Sequence, residues 1–152
     1  MPALKILLGA DNPVLRTKAK PVEKVTKKIL KLIKDMKKTM DAANGVGLAA
    51  PQVGESVRVC IGRVNGKDTP LINPEITKKS KETNVDEEGC LSLPNIWLPI
   101  SRSTEITLTY LDEKGQKQER KLQDFDARVV QHEVDHLDGV LIVDYPQSSQ
   151  KS

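Results

Sequence analysis

Aromatic side chains are scarce in this chain: Trp97, Tyr110, Tyr145 and Phe125 make up 3% of it. A set this sparse leaves no platform for stacking bases, which argues against a single-strand nucleic-acid binder and any direct nucleic-acid specificity. Cysteine is nearly absent too. Cys60 and Cys90 are too few for a disulfide framework, so a reducing cytoplasm is the expected compartment. No apolar run approaches the ~18 residues of a membrane-spanning helix. The opening MPALKILLGADNPVLR has neither the apolar stretch nor the cleavage pattern of a secretory signal. There is no internal repeat, and the only low-complexity tract is the polar end, Pro146 to Ser152. Neither sign of charge dominates: 24 basic and 21 acidic residues leave +3, which permits an acidic partner without requiring one. What remains is a 152-residue chain, expected to form a single domain over 1–152 with enough buried surface to need no covalent staples.

The first strong element is expected from about Val22 to Ala43. Val25, Ile29, Leu32, Ile33, Met36 and Met40 fall on one face of an α-helix. Asn44 and Gly45, which tolerate the left-handed conformation, end it. Lys24, Lys27, Lys28, Lys31, Lys34, Lys37 and Lys38 line the opposite face, which reads as a solvated surface or as a docking surface for a nucleic-acid-rich partner. Strands are expected at Val57 to Ile61, at Ile106 to Leu111, in a hairpin return over Gln116 to Lys121, and at Leu141 to Val143. Pro70, Pro74, Pro94 and Pro99 imply extended segments and turns between them. A last helix is expected from about Asp124, as N-cap, to Leu137, with Asp126 in its first turn and Gly139 just past its end. Phe125, Val129, His132 and His136 share one of its faces.

Both histidines of the chain lie in Gln131-His132-Glu133-Val134-Asp135-His136. Two imidazoles four residues apart on a helix can bind one metal ion, with Glu133 beside them as general base. A catalytic site of this kind needs a third protein ligand. The extended pattern HExxHxxGxxH places Gly139 at its glycine but Ile142 where its third histidine would stand, and no glutamate follows His136. The third ligand therefore lies upstream or is Asp138 or Asp144. The best upstream candidate is Cys90, a strong thiolate ligand preceded by a glycine, whereas Cys60 sits in an apolar strand and reads as a small hydrophobe. In Gly45-Val46-Gly47-Leu48-Ala49-Ala50-Pro51-Gln52 the small residues permit a tight turn and the close approach of another chain. The segment has no Gly-Lys-Ser/Thr and is not a phosphate loop. Gln52 is either a turn residue or a donor to an oxygen that gathers charge.

The three segments GVGLAAPQ, EGCLSLP and QHEVDH, in this order, resemble the three signature motifs of the peptide deformylases, and the likeness runs from the N-terminus to about Asp144. The resemblance implies an α+β fold: antiparallel strands packed around a central helix that carries the HExxH segment, preceded by a long N-terminal helix. It implies one divalent ion, natively Fe2+, with Zn2+, Ni2+ or Co2+ in purified samples, held by Cys90, His132 and His136. Glu133 is then the catalytic acid and base, and Gln52 with the backbone amide of Leu91 forms the oxyanion site. The implied reaction removes the formyl group from N-formylmethionyl peptides. An extended peptide would lie along Gly45, Val46, Gly47 and Gly89, as in β-augmentation, with Phe125 and Val129 at the methionine pocket. Arg102 would pair with Glu88 or Asp135 behind the ligands.

The chain departs from the family pattern at Trp97, where many relatives have arginine, and at Ser101, where many have proline. It also stops where typical bacterial members continue into a basic helix that docks on the ribosome, so weak ribosome binding is expected; separately, a monomer is expected. The alternative enzymes are a metallopeptidase or a hydrolase of another N-acyl peptide. A non-catalytic module using the lysine face is disfavoured by Glu133, which metal retention alone does not require.

Overall fold

The computed structural model describes residues 4–146. Residues 147–152, on which the expectation of weak ribosome docking rests, lie outside the described residues. The chain opens with a short helix, α1 (Pro13–Arg16), started by Pro13 and capped by the Asn12 side chain. The N-terminal helix is thus a short one, and the long helix comes second. That helix, α2, spans Lys27–Ala42, not 22–43: Thr26 caps it, accepting from the Ile29 amide at 3.3 Å. Val22 is held in an extended segment instead, because the Asn73 side chain bonds both its N–H, at 2.7 Å, and its carbonyl, at 2.8 Å. Asn44, at φ 56°, turns the chain out of the helix.

The remaining elements are β1 (Gly47–Ala49), a 3-10 turn (Ala50–Val53), β2 (Val59–Val64), β3 (Lys67–Lys79), β4 (Thr83–Cys90), β5 (Leu93–Ser103), β6 (Glu105–Leu111), β7 (Lys117–Gln123), α3 (Asp124–Leu137) and a last 3-10 turn (Ile142–Asp144). All strand pairs are antiparallel. They form a five-stranded sheet, ordered β1-β2-β3-β6-β7, and a separate two-stranded sheet of β4 and β5.

β2 shows why the five-stranded sheet needs a helix on each face. Val59 and Ile61 pack with Ile33, Met36 and Met40 of α2, while Cys60 and Val64 pack with Ala127, Val130 and Leu137 of α3. Its residues are buried on both sides, so it lacks the alternation of a half-exposed strand. Cys60 is accordingly a core residue. A third, smaller cluster of Leu93, Ile100, Leu141 and Ile142 lies under the two-stranded sheet.

Two expectations are corrected here, and a third, the extended proline-rich middle, is made specific. Residues 141–143 are not a strand: the Asp144 carboxylate accepts from the Leu141 amide at 2.9 Å and closes a 3-10 turn. The N-cap of α3 is Gln123, not Asp124, whose own amide donates to Thr104 O at 2.8 Å as the chain turns out of β7. The segment rich in proline folds into strands of 13, 8 and 11 residues. β3 tolerates Pro74 through a break in register between Ile72 and Glu75, where Asn73 takes φ 50°.

Gly139 follows α3 at φ 76°, and a Cβ there would stand 2.6 Å from the Arg16 carbonyl oxygen. Gly139→Ala combines left-handed backbone with a backbone clash. We expect it to destabilise the fold by at least ~1–2 kcal/mol, the left-handed cost alone. A chemical-denaturation midpoint equal to the parent's would contradict this.

Candidate active site

The catalytic candidates converge in one cleft of about 470 Å³. Three segments bring them there. β1 and the turn before it supply Gly45, Val46 and Gly47; the end of β4 supplies Glu88, Gly89 and Cys90; α3 supplies Phe125, Val129, His132 and Glu133. α3 can approach β1 closely because Gly47, the register partner of Gly62 in β2, has no side chain. A Cβ on Gly47 would stand 2.8 Å from Glu133 Cδ. The same economy shapes the other rim, where a Cβ on Gly45 would stand 2.9 Å from Leu91 Cδ1.

Cys90, His132 and His136 present ligand atoms that all lie within 4.8 Å of one another. His136 Nε2 is 3.3 Å from Cys90 Sγ. His132 Nδ1 is bonded to Glu88 Oε1 at 3.0 Å, which leaves its Nε2 for the centre. The other two candidates for a third ligand are engaged elsewhere: Asp138 pairs with Arg58 at 3.0 Å and Asp144 with Arg16 at 2.5 Å. A thiol and two imidazoles, the donors preferred by zinc and by other first-row divalent ions, fit a site with three protein ligands and an open position.

Glu133 is 4% exposed, and its Oε1 is buried without a hydrogen-bond partner among the described residues. Burial pushes its carboxyl up to about 7, and the neighbouring Glu88 charge adds to the rise. Glu88 moves the other way. Burial works against its charge, yet the bonds from Arg102 and His132 bring it down to about 2. The imidazoles divide similarly. Burial opposes charge on His132, but the contact with Cys90, the Glu133 charge and the Glu88 bond lift it to about 10, while burial and the charge of His132 hold His136 well below its ordinary value.

Behind the centre, Arg102 takes both partners that the sequence offered as alternatives. Its Nε and Nη2 bond Glu88 at 2.9 Å each, and its Nη1 bonds Asp135 at 2.6 Å. Sequence reasoning missed the rest of this cluster. Tyr145 OH donates to Asp135, 10 residues away, and Arg128 donates to Glu88, 40 residues away. Gln52 is 2% exposed. Its Oε1 accepts from the Ala49 amide at 2.9 Å, and its Nε2 donates to Ser92 Oγ at 3.1 Å and approaches Cys90 Sγ at 3.8 Å. Ser92, fully buried, is a further site-side residue that no spacing pointed to, although it lies inside EGCLSLP.

Phe125 is 56% exposed, which makes it a cleft residue and not a core one, while Val129 beside it is buried. Trp97 is 66% exposed and pairs with Gly89 across β4 and β5. Its indole fills the space of the missing side chain, since a Cβ on Gly89 would lie 2.7 Å from Trp97 Cζ3.

The polypeptide deformylase family model matches residues 4–152. The chain belongs to the peptide deformylase family. It is 49% identical over 145 residues to a peptide deformylase of Pseudothermotoga lettingae, covering 95% of this chain and 83% of that one. It superposes on the crystal structure of the Thermotoga maritima peptide deformylase with a TM-score of 0.92, at 46% identity, over 96% of this chain and 100% of that one. A class I type b peptide deformylase from Acinetobacter baumannii, solved with Met-Ala-Ser bound, gives a TM-score of 0.89 at 36% identity, over 94% of this chain and 98% of that one. Peptide deformylases are metal-dependent hydrolases that remove the N-formyl group from nascent polypeptides, and the chain carries that activity. No helix among the described residues is long and apolar enough to cross a membrane.

Proposed function

We propose that the cleft removes the formyl group of N-formylmethionyl peptides with Cys90, His132 and His136 as ligands of one divalent ion, natively Fe2+. The observation that carries this reading is the meeting of these three donors within 4.8 Å beside the buried Glu133. An ion held there supplies positive charge that lowers the pKa of a water and polarises the formyl oxygen. Glu133, whose carboxyl titrates near neutrality, takes a proton from the attacking water and returns it to the leaving amine. Water adds to the formyl carbon, the carbon–nitrogen bond breaks, and formate and a free α-amine leave. Gln52 Nε2 and the Leu91 amide donate to the oxygen that gathers charge, at a few kcal/mol per donor in comparable sites.

The peptide lies extended between the Gly45-Val46-Gly47 rim and Gly89, bonded by its main chain. Its methionine side chain enters between Phe125 and Val129. The tripeptide in the Acinetobacter baumannii relative supports this substrate class. The deciding experiment compares formyl-Met-Ala-Ser, acetyl-Met-Ala-Ser and an internal peptide bond, with metal analysis of the same sample. We expect rapid turnover of the formyl substrate alone. Cleavage of the internal bond would point to a peptidase.

The ligand set has its own test. Cys90→Ser is expected to weaken metal affinity, and Cys60→Ser, in the core, is not. Equal effects on bound metal in a chelator titration would remove Cys90 from the set.

A further inference from the structure

The donors of the centre come from two parts of the fold. His132 and His136 are on α3, while Cys90 ends β4 in the separate two-stranded sheet. Side chains fasten that sheet to α3, Arg128 among them, and Arg128 belongs to none of the three motifs. Arg128 is 5% exposed and stands one helical turn before His132, on the same face. Its Nη1 donates to Glu88 Oε2 at 2.6 Å and to the Ile100 carbonyl of β5 at 2.9 Å. Its Nη2 donates to the carbonyl and side-chain oxygens of Asn84 in β4, at 3.0 and 2.8 Å. Glu88 spans the gap from the other side. Its Oε1 accepts from His132 Nδ1 and Arg102 Nη2, and its Oε2 accepts from Arg102 Nε and Arg128 Nη1.

We propose that Arg128 is a positioning residue for the metal centre: through Glu88 it aims His132, and through Asn84 and Ile100 it sets the distance between α3 and the strand that carries Cys90. This rests on the reading that Cys90, His132 and His136 are the ligands. Each Glu88 oxygen accepts two bonds, so the carboxylate cannot turn. Without Arg128, Oε2 keeps Arg102 alone, so Glu88 is held from the β5 side only and the tie that fixes the acceptor of His132 Nδ1 relative to α3 is lost. β4 loses both Asn84 links at the same time. Lysine cannot replace this function fully, because one ammonium does not span Glu88 and Asn84 as a planar guanidinium does.

The test uses the zinc-loaded and cobalt-loaded enzyme. Zinc affinity is measured by competition with a chelator, and the visible cobalt bands report the geometry of the ligands. Arg128→Met is expected to weaken zinc affinity by roughly 10–100-fold, as loss of a partner behind a metal ligand does elsewhere, and to shift the cobalt bands. Arg128→Lys, which keeps a donor for Glu88, should recover part of the affinity. Asn84→Ala, which leaves Arg128 and Glu88 in place, should give a smaller loss. If Arg128→Met does not fold, Arg128→Lys and Asn84→Ala decide by the same two readouts. Zinc affinity and cobalt bands equal to the parent's, with or without a change in the unfolding midpoint, would overturn the proposal. Cys90→Ser separates the two ideas. If it leaves zinc affinity unchanged, the ligand set fails and the proposal with it. If it lowers affinity while Arg128→Met does not, only the proposal fails.

Discussion

Glu133→Ala should keep the bound ion and lower kcat on formyl-Met-Ala-Ser by roughly 10²–10⁴-fold, the usual worth of a positioned acid–base group. Three observations make this the residue with the largest expected effect. Glu133 is on α3 next to the proposed ligand His132, and both residues line the cleft. Its Oε1 has no partner among the described residues, so no structural bond is lost in the variant. Its carboxyl is pushed up to about 7, where it can both accept and return a proton near neutral pH. None of the three proposed ligands is altered, so metal content should match the parent. Metal analysis and turnover on one sample check the prediction. Near-normal kcat with full metal content would remove Glu133 from the chemistry.

Gly47→Ala should cost about as much without touching a titratable group. A Cβ on Gly47 would lie 2.8 Å from Glu133 Cδ, so the carboxylate must move. Misplacement of a catalytic group by about 1 Å is enough for a ~10²-fold loss. The facing residue is the control. A Cβ on Gly62 would meet Val129 Cγ1 and Val130 Cγ2 at 3.5 Å, an ordinary contact distance. Gly62→Ala is therefore expected to keep near-parental kcat, although the two glycines are register partners in the same pair of strands. Equal activities of the two variants would show that the Glu133 carboxylate tolerates displacement, and would contradict the role assigned to it.

The helices were largely legible in the sequence because helical order is local. The steps among Ile29, Ile33, Met36 and Met40 report the face that α2 buries, and the four-residue spacing of His132 and His136 places both on one face of α3. The strands were less legible. β4 reads Thr-Asn-Val-Asp-Glu-Glu-Gly-Cys, with most of its residues exposed, and β3 contains two prolines. Neither shows the alternation that marks a half-buried strand, and both exist because of partners brought to them from elsewhere in the chain.

The same division runs through the site. By itself the sequence determined the three motifs, the paired imidazoles with Glu133 between them, and, through the family resemblance, the reaction class. Each rests on a short segment whose chemistry is carried by neighbours in sequence. Only the tertiary structure decided that Arg102 serves Glu88 and Asp135 together, that Ser92 holds Gln52 across 40 residues, and that Arg128 reaches Glu88 across another 40. Hydrogen bonds over such separations depend on how the two-stranded sheet docks on α3. That docking is fixed by packing and by the polar links that Arg128 and Arg102 make between the sheet and α3, not by the spacing of residues along the chain.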